Sequence, residues 1–323
     1  MIRKVMRRFL LPLLLFCCLL NAVVARAQVN RRAAMDHLNR GTKKLDAGDL
    51  DGALREFNRA IELDPNYAAP YFSRGLVRRR QADYDGAISD FTRAIELNPF
   101  AEAYLDRGAT RKDKGDRDGA IVDYTKAIEL NDKYADAYYN RAIALDDRGE
   151  YENAISDFTR SIELNPQQAR AFVGRGYARM RKGDVDSAVA DYNKALELNP
   201  RSALAYFNRA FARKSKGDLD GAITDFTKAL EIDEKDGEAF YERGILRGVK
   251  ADLDGALSDF TKATDLNPQN AKAHANRGII MLLQGRDAEA QKEFDTALKI
   301  DNTLNPGLQN RINQIIQGRK SKP

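Results

Sequence analysis

The chain has 323 residues, 31% of them charged and 43% hydrophobic, with no Trp and a net charge of +5. That balance excludes a disordered chain, which carries too little apolar surface to fold. Length alone would suggest about two domains of roughly 150 residues each, a prior that the internal repetition below overrides.

Residues 1–27 stand apart. Arg3, Lys4, Arg7 and Arg8 form a positive start, Phe9 to Leu20 is an apolar run broken by Pro12, and Ala25-Arg26-Ala27 offers small residues to a signal peptidase. These are the three parts of a secretory signal, so the expectation is cleavage after Ala27 and an exported chain, periplasmic or secreted, that begins at Gln28. The alternative is an uncleaved membrane anchor over residues 9–24, slightly short of the roughly 17–25 residues that span a bilayer. Phe16 before Cys17 argues against a lipidated cysteine. Removing this segment takes away five basic residues and both cysteines, leaving 48 basic and 48 acidic residues. The basic pI therefore gives no support to nucleic-acid binding, and thiolate metal sites and Cys nucleophiles are excluded.

From residue 34 a single unit repeats. The phrase Asp157-Phe-Thr-Arg-Ser-Ile-Glu-Leu-Asn-Pro166 recurs eight times, starting at Glu56, Asp90, Asp123, Asp157, Asp191, Asp225, Asp259 and Glu293. The spacing is 34 residues throughout except for one interval of 33. A fixed period in this range means stacked repeats. The units run 34–67, 68–100, 101–134, 135–168, 169–202, 203–236, 237–270 and 271–304, followed by 305–323.

Within a unit the pattern is helical. Phe172, Arg175, Gly176 and Arg179 share one face. Gly183-Asp184 interrupts it, Gly suiting the left-handed end of one helix and Asp the cap of the next. Ala188, Tyr192, Ala195 and Leu198 form a second stripe, which Asn199-Pro200 ends. Each unit is thus a pair of antiparallel helices of about 12–14 residues that needs neighbours to bury its apolar face. The second helix carries the same Ala in every unit (Ala188, for example) and an aromatic four residues on, while the first has Gly in six units and Ala142 and Ala210 in the other two. Small slots let the helices approach, and the aromatic fills the space beside them.

An aromatic, Gly or Ala four on, Ala twelve further, an aromatic four on, Ala three on and Pro five on resembles the tetratricopeptide repeat, over about residues 34–304. The resemblance implies an all-α fold, a right-handed superhelical solenoid of eight helix-turn-helix repeats, whose concave face, lined mainly by first helices, holds peptides or protein segments.

Several positions depart from that family's pattern. A large apolar residue is usual before the first-helix Gly; here it is always Arg, at Arg40, Arg74, Arg107, Arg141, Arg175, Arg209, Arg243 and Arg277. The residue before the second-helix aromatic is always acidic. Eight matched opposite charges point to an Arg–carboxylate pair within each unit, with an Arg ladder for an acidic ligand as the alternative. One residue is missing between Pro99 and Ala103, which should alter the stacking of the second and third units. Asp132, Glu234 and Asn302 replace the terminal Pro, so looser turns are expected there. The eighth unit has Arg286-Asp287-Ala288 in place of Asp-x-Asp, as suits a terminal repeat. Leu308, Ile312, Ile315 and Ile316 then form the stripe of a capping helix, and Arg319, Lys320 and Lys322 a solvated basic tail.

Catalytic signals are absent, so no enzymatic activity, cofactor or metal is expected. His37 and His274, the only histidines, occupy the aromatic slot of a first helix, where packing explains them. No phosphate-binding loop, zinc-protease helix or nucleophile elbow occurs. Strings such as Asp116-Arg-Asp-Gly119 lack the later ligands of a calcium loop and read as helix caps.

Recognition is expected on the variable first-helix slots. The residue before the repeated Arg is Asn39, Ser73, Asp106, Asn140, Gly174, Asn208, Glu242 or Asn276. Asn there resembles the ladder by which some family members hold a peptide backbone, since an amide both donates and accepts. One residue earlier lie Phe72, Leu105, Tyr139, Val173, Phe207 and Tyr241; three after the Asn slot come Ile143, Tyr177, Phe211 and Ile245. By family geometry these face the groove, with inter-repeat burial as the alternative. The reading is an exported, non-catalytic scaffold for peptide or protein segments. Its candidate contacts are Asn39, Phe72, Tyr139, Asn140, Tyr177, Phe207, Asn208, Phe211, Tyr241 and Asn276. A homo-oligomeric structural component and a non-catalytic subunit of an envelope enzyme complex are the other readings; a nucleic-acid partner conflicts with the neutral mature charge.

Overall fold

The computed structural model describes residues 28–320, all-α and without a strand among them. The proposed signal and its cleavage point, with Lys322, lie outside the described residues. The chain forms two compact bodies, one up to Leu164 and one from Asn165. No helix of the described residues is long and apolar enough to cross a membrane.

The first body holds four helix pairs. They are α1 (residues 28–46) with α2 (Leu50–Leu63), α3 (Ala68–Arg80) with α4 (Tyr84–Leu97), α5 (Ala101–Lys114) with α6 (Arg117–Leu130), and α7 (Ala135–Asp147) with α8 (Tyr151–Leu164). The second body repeats the plan: α9 (Ala169–Lys182) with α10 (Val185–Leu198), α11 (Ala203–Ser215) with α12 (Leu219–Ile232), α13 (Gly237–Val249) with α14 (Leu253–Leu266), and α15 (Ala271–Leu283) with α16 (Asp287–Ile300). A 3-10 turn (Asn302–Leu304) and α17 (Asn305–Lys320) complete it.

The helix boundaries follow from local chemistry. Asp49, Asp83, Asp116, Asp184, Asp218 and Asp252 each accept the N–H three residues on, at 2.8–3.2 Å, which satisfies a donor the helix leaves orphaned. The Asp-x-Asp-Gly strings are therefore caps. Arg286 makes no such bond, consistent with the degenerate eighth unit. Gly115 and Gly183 end α5 and α9 in the left-handed region, at φ 96° and 92°. Ala82 and Ala251 take the same conformation at φ 60° and 61° without a glycine's freedom.

The turns lacking Pro are not looser in their bonding. Asn131 and Asp233 accept from Lys133 and Lys235 at 3.1 and 3.0 Å, as Asn199 does from Arg201 at 3.1 Å in a turn with Pro. The Asn or Asp side chain makes the turn, so proline is dispensable. In the shortened turn, Phe100 extends to cap α5 and sets its ring edge-on to Phe72, 5.2 Å between centroids.

Packing explains why units stack. Phe57, Phe91, Tyr124, Phe158, Tyr192, Phe226, Phe260 and Phe294 are buried, each in its own unit's core. The partner slot must be small: a Cβ added at Gly176 would lie 2.7 Å from Tyr192 Cε1. In four units a residue of the next unit closes one side of the core. Val77, Ala144, Leu246 and Ile280 join the clusters around Phe57, Tyr124, Phe226 and Phe260. After the eighth unit Leu308 of α17 does this for Phe294, with Ile312 and Ile315 beside it. Ile316 stays exposed, so the capping stripe is three residues and not four. The tail is also less free than expected: Arg319 donates to Asp287 Oδ1 at 2.7 Å.

Candidate peptide-binding face

The repeated arginines form the frame on which this face is built. Arg74, Arg107, Arg141, Arg209 and Arg243 each grip the acidic residue of their unit with Nε and Nη2, at 2.6–3.0 Å. Arg175 holds Asp191 through the same two nitrogens. The remaining Nη1 reaches back to the preceding second helix: Arg74 to Asn58, Arg107 to Thr92, Arg141 to Thr125, Arg209 to Asn193 and Arg243 to Thr227, at 2.6–3.1 Å. The guanidinium also lies over the aromatic slot three residues earlier, as Arg74 does over Tyr71 at 5.6 Å. Each of these five arginines thus joins its own two helices and rivets them to the previous pair. Its donors are used internally, so the structural reading of the ladder holds over the ligand-binding one.

The sequence reading placed Arg179 on this face but gave the second arginine, one turn on, no partner. Arg78, Arg111, Arg179, Arg213 and Arg247 donate to the same carboxylates, at 2.6–2.9 Å. The signal was present in the four-residue spacing from the first arginine, which places both on one helix face. Units one and eight have Lys44 and Met281 there, and Glu in place of Asp. The longer Glu56 and Glu293 reach His37 and His274, at 2.7 and 2.8 Å, so these histidines are hydrogen-bonded as well as packed. The bond from His37 holds Glu56 below the usual carboxylate range. Burial pushes Glu293 up, but bonds from Arg277 and His274 outweigh it and hold the group low.

On the first helices, the slot before the arginine divides into tied and free positions. Asp106 lies 3.5 Å from Arg79, which also forks onto Asp113. Burial, with help from Glu102 and against Arg79, pushes the Asp106 carboxyl up to about 6. Glu242 takes a bond from Lys214 at 2.6 Å. Asn276 donates to Tyr241 Oη at 3.2 Å and accepts from Arg311 of α17 at 3.0 Å. Burial raises the Tyr241 hydroxyl, with Glu242 adding to the effect and the Asn276 bond opposing it. By contrast, Asn39 is exposed and Asn140 and Asn208 half-buried, their amides unbonded among the described residues.

The aromatic slots are packed on one edge and open on the other. In the first body Phe72 leans on Phe91 and Phe100, beside a cavity of about 480 Å³ that also meets Tyr67 and Asn98. Tyr139 sits edge-on to Phe158 at 5.8 Å. In the second body Phe207 and Phe211 both contact Phe226, and each remains half-buried. Tyr177 is 43% exposed, whereas Val173 in the neighbouring slot is buried. Ile245, Asn276 and Arg311 line a smaller cavity of about 180 Å³. Among the described residues no cluster of three metal-ligating side chains occurs.

Comparison with known proteins agrees with this architecture. Models described as "TPR repeat" match residues 41–81, 108–146 and 176–217, and models described as "Tetratricopeptide repeat" match 68–100, 135–168, 203–236 and 250–308. No curated protein gives a significant match. Among solved structures, a tetratricopeptide repeat protein from Parabacteroides merdae is 21% identical, with TM-score 0.59, covering 77% of this chain and 99% of its own. The C-terminal part of a TPR repeat-containing protein from Cytophaga hutchinsonii is 20% identical, with TM-score 0.59, covering 74% and 98%. PilF of Pseudomonas aeruginosa is 19% identical, with TM-score 0.57, covering 62% and 92%. At these identities the likeness is one of fold. Helix pairs at a 34-residue period, matched by repeat models along most of the sequence, make this chain a member of the tetratricopeptide-repeat family.

Proposed function

We propose that this chain is an exported, non-catalytic scaffold that binds peptide or protein segments along its first-helix face. The observation that carries the reading is the contrast within one slot. Asp106, Glu242 and Asn276 are tied to neighbours, while Asn140 and Asn208 keep donor and acceptor free beside half-buried aromatics, and Asn39 does so beside Leu38. A free amide can grip any extended backbone, and an adjacent aromatic gives the contact apolar area. Export rests on the composition of residues 1–27 and on the loss of both cysteines with them, which suits an oxidising compartment.

The test is a crosslinking pull-down from the cell's own envelope fraction, with mature protein and with a Tyr139→Ala, Phe207→Ala, Asn208→Ala triple variant. Partners recovered by the first and lost by the second support the face. Equal recovery by both overturns it. N-terminal sequencing of the native protein checks export, with Gln28 the expected first residue.

A further inference from the structure

Five units of this chain display the same small receptor for a guanidinium. In each, Nη1 of the second arginine bonds the buried Asp and approaches the carbonyl four residues before it. Arg78 meets Asp90 and Gly86 O at 2.9 and 3.3 Å, Arg111 meets Asp123 and Gly119 O at 2.8 and 3.3 Å, and Arg213 meets Asp225 and Gly221 O at 2.9 and 3.2 Å. Arg179 and Arg247 repeat the arrangement.

The fourth unit keeps the receptor and lacks the arginine. Its buried acid, Asp157, is gripped by Arg141 like its siblings, but the second position is Leu145. A cavity of about 340 Å³ opens there between α6, α7 and α8, reaching Asp157, Asn153, Leu145 and Ile121. Asp157 is 7% exposed, against 1–3% for Asp90, Asp123, Asp191, Asp225 and Asp259. The difference is the cover that a second guanidinium gives the others. Exposed Asn153 and Ser156 lie on α8 at this cavity, and Leu145 and Ile121 offer apolar wall along which an aliphatic stem can lie.

We propose that this cavity is an arginine socket, which receives the side chain of an arginine presented by a partner protein. The guanidinium would take the place that Arg78 and Arg111 fill in the two preceding units, bonding Asp157 Oδ2 and Asn153 O. A carboxylate in a half-buried site, already shaped in sibling units to accept a planar fork, favours arginine over a point-charged lysine. The socket is independent of the first-helix amides and stands whether or not they bind peptide.

The test is a titration of the methyl-labelled mature chain with N-acetyl-arginine methylamide, following the methyl signals of Leu145 and Ile121. Saturable shifts are expected, at least about tenfold tighter than with the neutral citrulline analogue or the lysine analogue. Leu145→Arg should fill the socket from within, erasing the Ile121 shift and raising the melting temperature. Leu145→Met, which leaves the socket open, should retain the shift. Absence of saturation, equal affinity for the citrulline or lysine analogue, or a Leu145→Arg chain that melts lower or fails to fold would each overturn the proposal. So would Leu145 shifts that track protein concentration without probe, since the occupant would then be a second copy.

Discussion

Arg209 and Asp225 are joined by two parallel hydrogen bonds, Nη2 to Oδ1 at 2.6 Å and Nε to Oδ2 at 2.8 Å, in a seam where Asp225 is 1% exposed. Arg213 adds a third contact to the same carboxylate at 2.9 Å. Removing the charge strands two guanidinium groups, and breaking a buried pair costs about 3–5 kcal/mol. Asp225→Asn should therefore lower stability by about 3 kcal/mol or more, read as a shift in the urea midpoint. Glu56→Gln should cost under about 1 kcal/mol, because its partner Arg40 is 50% exposed and the pair is screened by water. Equal effects from the two substitutions would contradict this account of the ladder.

That pair was legible in the sequence because both members recur at fixed places in all eight units. The helix pairs, the small slots and the caps were legible for the same reason. The bonds between units were not. Whether Arg209 reaches Asn193 depends on how one pair docks on the next, and periodicity within a unit carries no information about that. The candidate face was only half legible. Asn276 and Asn208 look alike in the sequence, yet only Asn276 is met by an arginine, 35 positions away on a helix that is not part of the repeat.

Ala82 and Ala251 break a rule that the other turns obey. At φ near 60° an L side chain crowds its own carbonyl, at a cost of about 1–2 kcal/mol. Gly48, Gly149, Gly217 and Gly285 stand at the same place with φ of 78–82°. Both alanines are exposed, so no packing is lost on substitution. Ala82→Gly and Ala251→Gly should each stabilise the chain by about 1 kcal/mol, and Gly149→Ala should destabilise it by a similar amount. Thermal melts of the three variants check the signs.

The carboxyl of Asp106 gives the stability a pH dependence. Burial, chiefly, places its folded-state value at about 6, above the ordinary 3.8. The folded state then binds the proton more tightly than the unfolded one, so this group's contribution improves as pH falls through 6 and is complete below about 4. Above pH 7 the ionised carboxylate is a net cost of roughly 1–2 kcal/mol, less than the full shift implies because the side chain is 24% exposed. Asp106→Asn should melt higher than the parent at pH 7.5, with the difference vanishing near pH 4. A constant difference across that range would place the effect elsewhere.

Leu308 occupies the place that a ninth unit would fill. In the first, third, sixth and seventh units the core aromatic is closed by a residue of the following first helix, as Phe226 is by Leu246. Phe294 has Leu308 of α17 instead, 6% exposed, flanked by Ile312 and Ile315. A charge there would leave Phe294 wet on one side and detach α17, taking Arg311 away from Asn276. Because repeat arrays are stabilised by nearest neighbours, the damage should stay local. In Leu308→Asp, hydrogen exchange should show protection lost over α15 to α17 and retained in α1 to α8. Uniform loss along the chain would mean that the array unfolds as one unit, and that α17 supports far more than the repeat it covers.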